Sequence, residues 1–295
     1  MTDSLAQAQA LLAELQQAAE KGTLIPIRLP GQIQAIADLL TQAGAEAKAR
    51  EAEIAAKAAP PDMETFLKDQ AGFFGHAIHE LRTPMTSIRG YGDMLGSGAM
   101  GALNDMQKQF VDTIRTNSRR MESLLTDVSD MNKLRAGTLR VNNKMDMFKN
   151  IAMMVEKTAK PLADSLGKTF TVDVPQGLPL LNLDGELLAK AIYKFVENGL
   201  RYSGENGAVT LRGSSEGSDL LIIVSDNGIG MSPEDVARLG EVYFRSENDT
   251  VRAFKGSGLG VPVAYGLIKL LGGTVSVTSE PDSGTTFTIR IPGMR

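Results

Sequence analysis

Two long runs of apolar residues at helical spacing, joined by a glycine-rich turn, set the first limit on what this chain can fold into. The first run carries Phe66, Phe73, Phe74, Ala77, Leu81, Ile88 and Leu95 and stops at GSGAMG, Gly96 to Gly101. The second opens at Asn104, a good helix-capping residue, and carries Phe110, Ile114, Met121, Leu124, Leu125, Val128 and Met131 as far as Gly137. A turn of that composition cannot continue a helix, so the two segments form an antiparallel helical hairpin. Two helices alone bury little. Pairing with a second copy into a dimeric four-helix bundle covers both stripes, so a homodimer is expected.

The flanking segments read differently. Before the hairpin, Leu5, Ala8, Leu12 and Leu15 predict a helix ending near Gly22, and GTLIPIRLPG interrupts it. Ile33, Ile36 and Leu40 predict a second helix before Pro60 and Pro61. Residues 1–60 are too few for a good core of their own and are expected to form an α-helical input or dimerisation arm. After residue 137 short alternating runs appear: TLRV, TFTVDV, AVTLRG, LLIIVSD, TVSVTSE and TTFTIRI. Helical stretches at Phe148–Leu166, Glu186–Tyr202, Pro233–Leu239 and Val261–Leu271 lie among them, and SSEGSDLL and SEPDSGTT read as hairpin turns. Helices and strands mixed in this way predict a two-layer α+β sandwich. The expected divisions are thus an arm at 1–60, a helical hairpin at 61–137 and a sandwich at 138–295.

Composition removes several classes of function. The 295 residues contain no cysteine and only two histidines, His76 and His79, which excludes thiolate chemistry and leaves no basis for a histidine-rich zinc site. A net charge of −4 gives no footprint for nucleic acid. No apolar run approaches the roughly 18–20 residues a bilayer span needs. The start, MTDSLAQAQALL, lacks the basic and apolar regions of a signal peptide. A soluble, cytoplasmic protein is expected.

Four segments of the sandwich carry candidate chemistry. In YKFVENGLRYS, on a helix, Asn198 offers an amide oxygen to a hard cation, and Arg201 and Tyr202 bring phosphate donors one turn later. In DNGIGM, after a strand, Asp226 can accept from an exocyclic amine while Gly228 and Gly230 allow close backbone approach to a planar ring. In KGSGLGVP, the glycines Gly256, Gly258 and Gly260 open a helix whose first amides suit a phosphate chain. In SGTTF, a small turn at Gly284 and Thr285 meets the last strand. Each segment alone is a weak signal; their order and spacing carry the reading.

In that order the four segments resemble the N, G1, G2 and G3 boxes of the ATP-binding domain shared by histidine kinases, gyrase, Hsp90 and MutL. VYFRS, which contains Arg245, is similar to the F box before the ATP lid. The resemblance implies ATP with its adenine on Asp226, Mg²⁺ on Asn198 and a lid at about Gly240–Gly256. IHELRTPMTSIRG, in the first hairpin helix, resembles the H box of sensor histidine kinases. It implies His79 as phosphoacceptor, Glu80 as general base and Thr83 as the residue that positions water for dephosphorylating a response regulator. An imidazole with a pKa near 6.5 is largely neutral and nucleophilic at pH 7, which suits that role. Pro84 removes the helical hydrogen bond to the Glu80 carbonyl and is expected to bend the helix beside the nucleophile. His76 matches no motif position and reads as an ordinary helical histidine.

The choice between transfer and hydrolysis turns on one position. In gyrase, Hsp90 and MutL a glutamate one turn before the Mg²⁺-binding asparagine activates water, whereas histidine kinases commonly carry asparagine there. This chain has Lys194, which departs from both and cannot act as a base. Glu197 lies about 100° around the helix from Asn198 and aims elsewhere. The function expected is an ATP-dependent histidine kinase acting on a response-regulator receiver domain, with regulator phosphatase activity. The alternative is a nucleotide-gated ATPase or scaffold with weak phosphotransfer.

Overall fold

The protein is described from a computed structural model covering residues 3–21, 35–36, 38–39, 41–42, 45–46, 63–254 and 256–294. It divides into two compact units, Met1–Met63 and Glu64–Arg295. In the first, α1 spans Asp3–Glu20 and bears out the first predicted helix. Most of the second predicted helix, Ile33 and Leu40 included, lies outside the described residues.

The helical hairpin consists of α2 (Met63–Gly96) and α3 (Asp105–Arg135). Between them Gly98 (φ +77°) and Gly101 (φ +110°) reverse the chain in conformations that side chains disfavour. Asn104 starts α3 with a reciprocal capping box: its side chain accepts from the Gln107 amide at 2.9 Å, and its own amide donates to Gln107 Oε1 at 2.9 Å. Helix α2 runs through Pro84 without interruption. Arg89 pairs with Glu122 at 2.7 Å and Arg115 with Asp93 at 2.8 Å, which fixes the register of the hairpin. The Arg115 guanidinium holds the Asp93 carboxyl below the usual carboxylate range.

The two helices leave much of the apolar stripe uncovered, as the sequence reading expects of a hairpin by itself. Ile78 and Met85 are buried, together with Val111 of α3, whereas Leu81, Ile88 and Leu95 are 52%, 45% and 38% exposed. The column Phe74, Leu81, Ile88 and Leu95 repeats every seven residues, and so does Ile78, Met85 and Gly92. The second column faces inward and the first is left uncovered. On α3, Phe110, Ile114, Met121 and Leu124 are likewise exposed. An α-helix that uses two adjacent heptad columns has two neighbours to satisfy, and a single hairpin supplies only one.

The rest of the second unit is a two-layer sandwich. Its elements are β1 (Lys144–Met147), α4 (Phe148–Ser165), β2 (Thr169–Asp173), β3 (Leu180–Leu183), α5 (Gly185–Tyr202), β4 (Ala208–Glu216), β5 (Asp219–Asp226), α6 (Pro233–Arg238), α7 (Asp249–Ala253), α8 (Gly260–Leu270), β6 (Thr274–Ser279) and β7 (Thr285–Ile291). Five strands form a mixed sheet in the order β2-β4-β5-β7-β6; β2 lies parallel to β4 and the other neighbours are antiparallel. Period-two alternation sends Val209, Leu211, Leu220, Ile222, Val224, Phe287 and Ile289 into the core. They meet Ile151 and Val155 of α4, Ile192 and Phe195 of α5, and Val263 and Leu267 of α8. The Phe195 ring stacks on Phe287 with centroids 4.2 Å apart.

TLRV, Thr138–Val141, is not a strand. The strands that the sequence reading missed are β1 and β3, four residues each, which pair with one another in a separate antiparallel sheet. Such short segments are held by their partner and by burial of Leu181 and Leu183 on one face, so their own periodicity is too brief to read. The turns at SSEGSDLL and SEPDSGTT form as expected, with Gly217 at φ +62° and Asp282 at φ +60°.

Phe195→Ala should lower the stability of the sandwich by about 3–5 kcal/mol, because a fully buried ring and its stacking partner lose contact together. Urea unfolding followed by circular dichroism reads this directly; a loss below about 1 kcal/mol would contradict the packing described.

Candidate nucleotide site and phosphoacceptor helix

Three segments far apart in sequence converge at Asp226, the last residue of β5. Its Oδ1 accepts from the Gly228 amide at 2.8 Å, and the backbone of Thr285 lies opposite it on β7. Gly228 lies under the end of α5: a Cβ there would stand 2.8 Å from the Tyr202 carbonyl. The Ile229 amide donates to that same carbonyl at 3.1 Å. Gly230 has φ +62°, and a Cβ on it would fall 1.8 Å from the Glu280 carbonyl oxygen. Gly284 would collide with the Asp226 carbonyl at 2.0 Å. Only glycine fits these contacts, so the glycines are required by the meeting of α5, the β5 exit and the β6–β7 turn. Thr285 is buried there, its hydroxyl 2.9 Å from Ser279 Oγ.

The α5 terminus is held by a residue that the sequence reading did not single out. Lys168 donates to the Leu200 carbonyl at 2.7 Å and to the Ser203 carbonyl, satisfying acceptors that the helix leaves open. Burial lowers its pKa. Just upstream, Asn198 is partly buried and its amide makes no hydrogen bond among the described residues.

The third glycine segment comes to the same helix from the other side. Gly258 has φ +70° and packs on the Tyr243 backbone, whose amide donates to the Gly258 carbonyl at 3.2 Å. Gly256 lies within 4 Å of both Arg245 and the Tyr202 hydroxyl by its Cβ position, and Gly260 stands 3.7 Å from Lys194 Cδ. Helix α8 opens at Gly260, and its cap residue Leu259 makes no side-chain capping bond. The first amides of α8 are thereby left for an anion.

The two guanidiniums expected on phosphate are engaged elsewhere. Arg201 donates to Glu197 at 2.8 and 3.1 Å, which also bears out the reading that Glu197 aims away from Asn198. Arg245 donates to the Val251 and Phe254 carbonyls and so ties down the segment 240–256 around α7, a short helix that the sequence reading missed. Phe254 of this segment meets Tyr202 edge-on at 5.7 Å.

His79, Glu80 and Thr83 are all exposed on α2. Continuing the register set by Arg89–Glu122 and Asp93–Arg115 brings His79 level with Asp130 and Met131 of α3. That end of α3 is where the sandwich is seated. Leu134 packs against Gly266 of α8, and Met131 joins the core. Lys190 of α5 pairs with Asp130, and Lys194 Nζ lies 2.6 Å from Asp127 Oδ1. The Lys194 and Asp127 side chains are 9% and 8% exposed. Asp127 Oδ1 accepts no aligned hydrogen bond, so this contact is a close approach of charges. Burial raises the Asp127 pKa and Lys194 opposes the rise. Nothing in one dimension signals that lysines four apart on α5 face aspartates three apart on α3.

The architecture is a glycine-rich junction at the end of β5 on an α/β sandwich, joined to a helical hairpin that displays a histidine. Residues 69–137 match the His Kinase A (phospho-acceptor) domain, and residues 183–295 match the histidine kinase-, DNA gyrase B- and HSP90-like ATPase domain. An uncharacterized sensor-like histidine kinase of Rhizobium meliloti is 30% identical over 243 residues, which is 82% of this chain and 46% of that protein. The autoinducer 2 sensor kinase/phosphatase LuxQ of Vibrio cholerae is 27% identical over 273 residues, 91% of this chain and 31% of that one. The chain thus spans less than half the length of either relative. The full-length ShkA structure in complex with AMPPNP shares the fold at a TM-score of 0.62 and 24% identity, covering 75% of this chain and 46% of that one. The chain therefore carries the phospho-acceptor and ATP-binding domains of the sensor histidine kinases. Among the described residues no helix is long and apolar enough to cross a membrane.

Asp226 permits a test with opposite signs for binding and stability. Burial pushes its carboxyl pKa up. The cost of ionising it is absent below the ordinary carboxylate pKa, grows with rising pH and is complete above the raised folded value. Asp226→Asn should therefore raise the unfolding temperature of the nucleotide-free protein at neutral pH by a few degrees, the gain fading toward about pH 4. It should also weaken ATP binding about 10- to 100-fold, the equivalent of losing a hydrogen bond to a charged acceptor. Calorimetry on the two proteins measures both; weaker binding accompanied by lower stability would reduce Asp226 to a structural residue.

Proposed function

We propose that the protein is an ATP-dependent histidine kinase that phosphorylates itself on His79 and passes the phosphoryl group to an aspartate of a response-regulator receiver domain. The observation that carries this reading is the level of His79 on the hairpin. An exposed imidazole stands at the height where the Asp226 domain is seated on α3, so acceptor and nucleotide domain share one stretch of the hairpin.

The residues fit the roles asked of them. Asp226 would take the adenine amine, Gly228 and Gly230 would let the ring approach, and Gly256, Gly258 and Gly260 with the α8 amides would receive the phosphates. Tyr202 and Thr285 would line this pocket, and Arg201 and Arg245 would close on phosphate when the 240–256 segment rearranges. Asn198, whose side-chain amide makes no hydrogen bond among the described residues, would offer its oxygen to Mg²⁺. The metal would neutralise charge developing on the phosphates. In the chemical step Nε2 of His79 bonds to the γ-phosphorus as its bond to the bridging oxygen breaks, releasing ADP. Glu80 holds or accepts the Nδ1 proton, which keeps Nε2 nucleophilic. The receiver aspartate then displaces the imidazole from phosphorus.

Several further assignments belong to the same proposal. The exposed heptad column Phe74, Leu81, Ile88 and Leu95, with Phe110, Ile114, Met121 and Leu124, supports a homodimer closed as a four-helix bundle. Residues 1–60 would be an input or dimerisation arm, 61–137 the dimerisation and phosphotransfer domain and 138–295 the catalytic domain. The protein would act in the cytoplasm. Thr83, one turn from His79 and exposed with it, supports phosphatase activity toward the regulator. The hydrolase alternative is disfavoured, because Lys194 is bound to Asp127 and Glu197 to Arg201. No free carboxylate stands one turn before Asn198 to activate water.

Incubation with γ-labelled ATP should yield acid-labile, alkali-stable phosphate, and His79→Ala should abolish it while ATP binding persists. Label that survives in His79→Ala and disappears in His76→Ala would move the acceptor and overturn the assignment.

Thr83→Ala should spare autophosphorylation and slow regulator dephosphorylation, on the order of 10-fold or more for loss of a water-positioning group. A parental dephosphorylation rate in that variant removes the phosphatase role from Thr83.

A further inference from the structure

Lys194 occupies an unusual place. Its stem passes Gly260 at the opening of α8, 3.7 Å from the Cβ position, while its ammonium reaches across to Asp127 of α3. One side chain thus spans from the proposed phosphate site to the helix on which the domain is seated. Asn198 is one turn further along α5, so Lys194 and Asn198 address the same side of the site. The contact with Asp127 is close but not aligned as a hydrogen bond, and the neighbouring pair Lys190–Asp130 has the same character on the carboxylate side.

We propose that Lys194 is a nucleotide-phosphate ligand shared with Asp127, so that the phosphates of ATP and the α3 carboxylate compete for one ammonium. This rests on the reading of the glycine segments as an ATP site. With the sandwich seated on α3, Asp127 neutralises Lys194 and the phosphate site lacks that charge. When the sandwich lifts from α3, the ammonium loses its counter-charge and is free to turn to a phosphate chain at the first turn of α8, which its stem already passes. One ammonium cannot neutralise both anions fully at once, and the buried pair with Asp127 is the state in which losing a partner costs most. Phosphates and Asp127 therefore oppose one another, and the coupling is reciprocal: ATP loosens the seat by the factor by which release from the seat tightens ATP. Lys190 and Asp130 add to the seat without reaching Gly260 and serve as an independent handle on it.

The test uses the full chain and titrations of ATP and adenosine against a fluorescent adenine nucleotide. Asp127→Asn should tighten ATP about fivefold or more, the lower end of ordinary coupling between sites, and leave adenosine unchanged. Lys194→Met should weaken ATP and not adenosine, and Asp127→Asn added to it should have no further effect. Asp130→Asn, which breaks the seat beside Lys194, should tighten ATP in the same direction and only when Lys194 is present; it keeps the test open should Asp127→Asn not fold. Because the chain has no cysteine, single cysteines at Thr113 and Lys157 can carry spin labels that report the seat. ATP should lengthen that distance and adenosine should not. ATP affinity unchanged in both aspartate variants, with adenosine binding intact, overturns the shared-ligand proposal alone. A parent that binds neither ATP nor adenosine removes the nucleotide-site reading, and the proposal with it.

Discussion

The junction at Asp226 is built from backbone pressed against backbone, and the geometry of the whole sandwich is arranged to permit it. Gly228 lies against the Tyr202 carbonyl, Gly230 against that of Glu280 and Gly284 against that of Asp226, each closer than a Cβ could stand. These contacts bind the exit of β5 to the end of α5 and to the β6–β7 turn. Antiparallel pairing of β5 with β7 places Asp226 opposite Thr285. The partly buried carboxylate accepts from the Gly228 amide at 2.8 Å, which orients it. The hydrophobic core behind it, with Phe195 on Phe287, keeps α5 and β7 from separating.

Charge is used differently on the two sides of the hairpin. Arg89–Glu122 and Arg115–Asp93 are partly exposed and link α2 to α3; such solvent-screened pairs add little net stability and chiefly set register. Lys194–Asp127 is nearly sealed from water. A pair of that kind returns little net stability, since desolvation of both ions offsets their attraction, yet losing one partner is costly. The seat of the sandwich on α3 therefore combines an apolar contact, Leu134 on Gly266, with an ionic one that discriminates sharply between paired and unpaired states. That combination makes a seat specific without making it permanent.

Much of this was legible in the sequence because the relevant signals are local. Glycines at Gly230, Gly258 and Gly284 mark positive φ and close approach, and Asn104 marks the start of α3 through its own cap. What was not legible depends on contacts between distant segments. TLRV alternates like a strand but has no partner, while the four-residue β1 and β3 exist only because they have each other. On α2 the apolar stripe is plain in the sequence, but only the structure shows that Ile78 and Met85 form the column that faces inward. Periodicity identifies that a helix has apolar faces; it does not say which neighbour each face meets. Nothing in the sequence singles out Asp127 and Asp130, and only the fold brings α5 over them.

Lys194 bears on how, on the proposed reading, an ATP-binding domain of this family would direct ATP to a protein side chain instead of to water. Hydrolysis needs a proton acceptor beside the attacking water, and an ammonium held by an aspartate is the opposite of one. The remaining carboxylate nearby, Glu197, is committed to Arg201. On the proposed reading, bound ATP would lack a base for water until an imidazole carrying its own base arrives from α2. His79 and Glu80 form such a unit, a nucleophile and a carboxylate adjacent on one helix, and both are exposed. Holding two reactants in register converts an encounter in solution into a step within one assembly, which is where most of the acceleration in phosphoryl transfer arises.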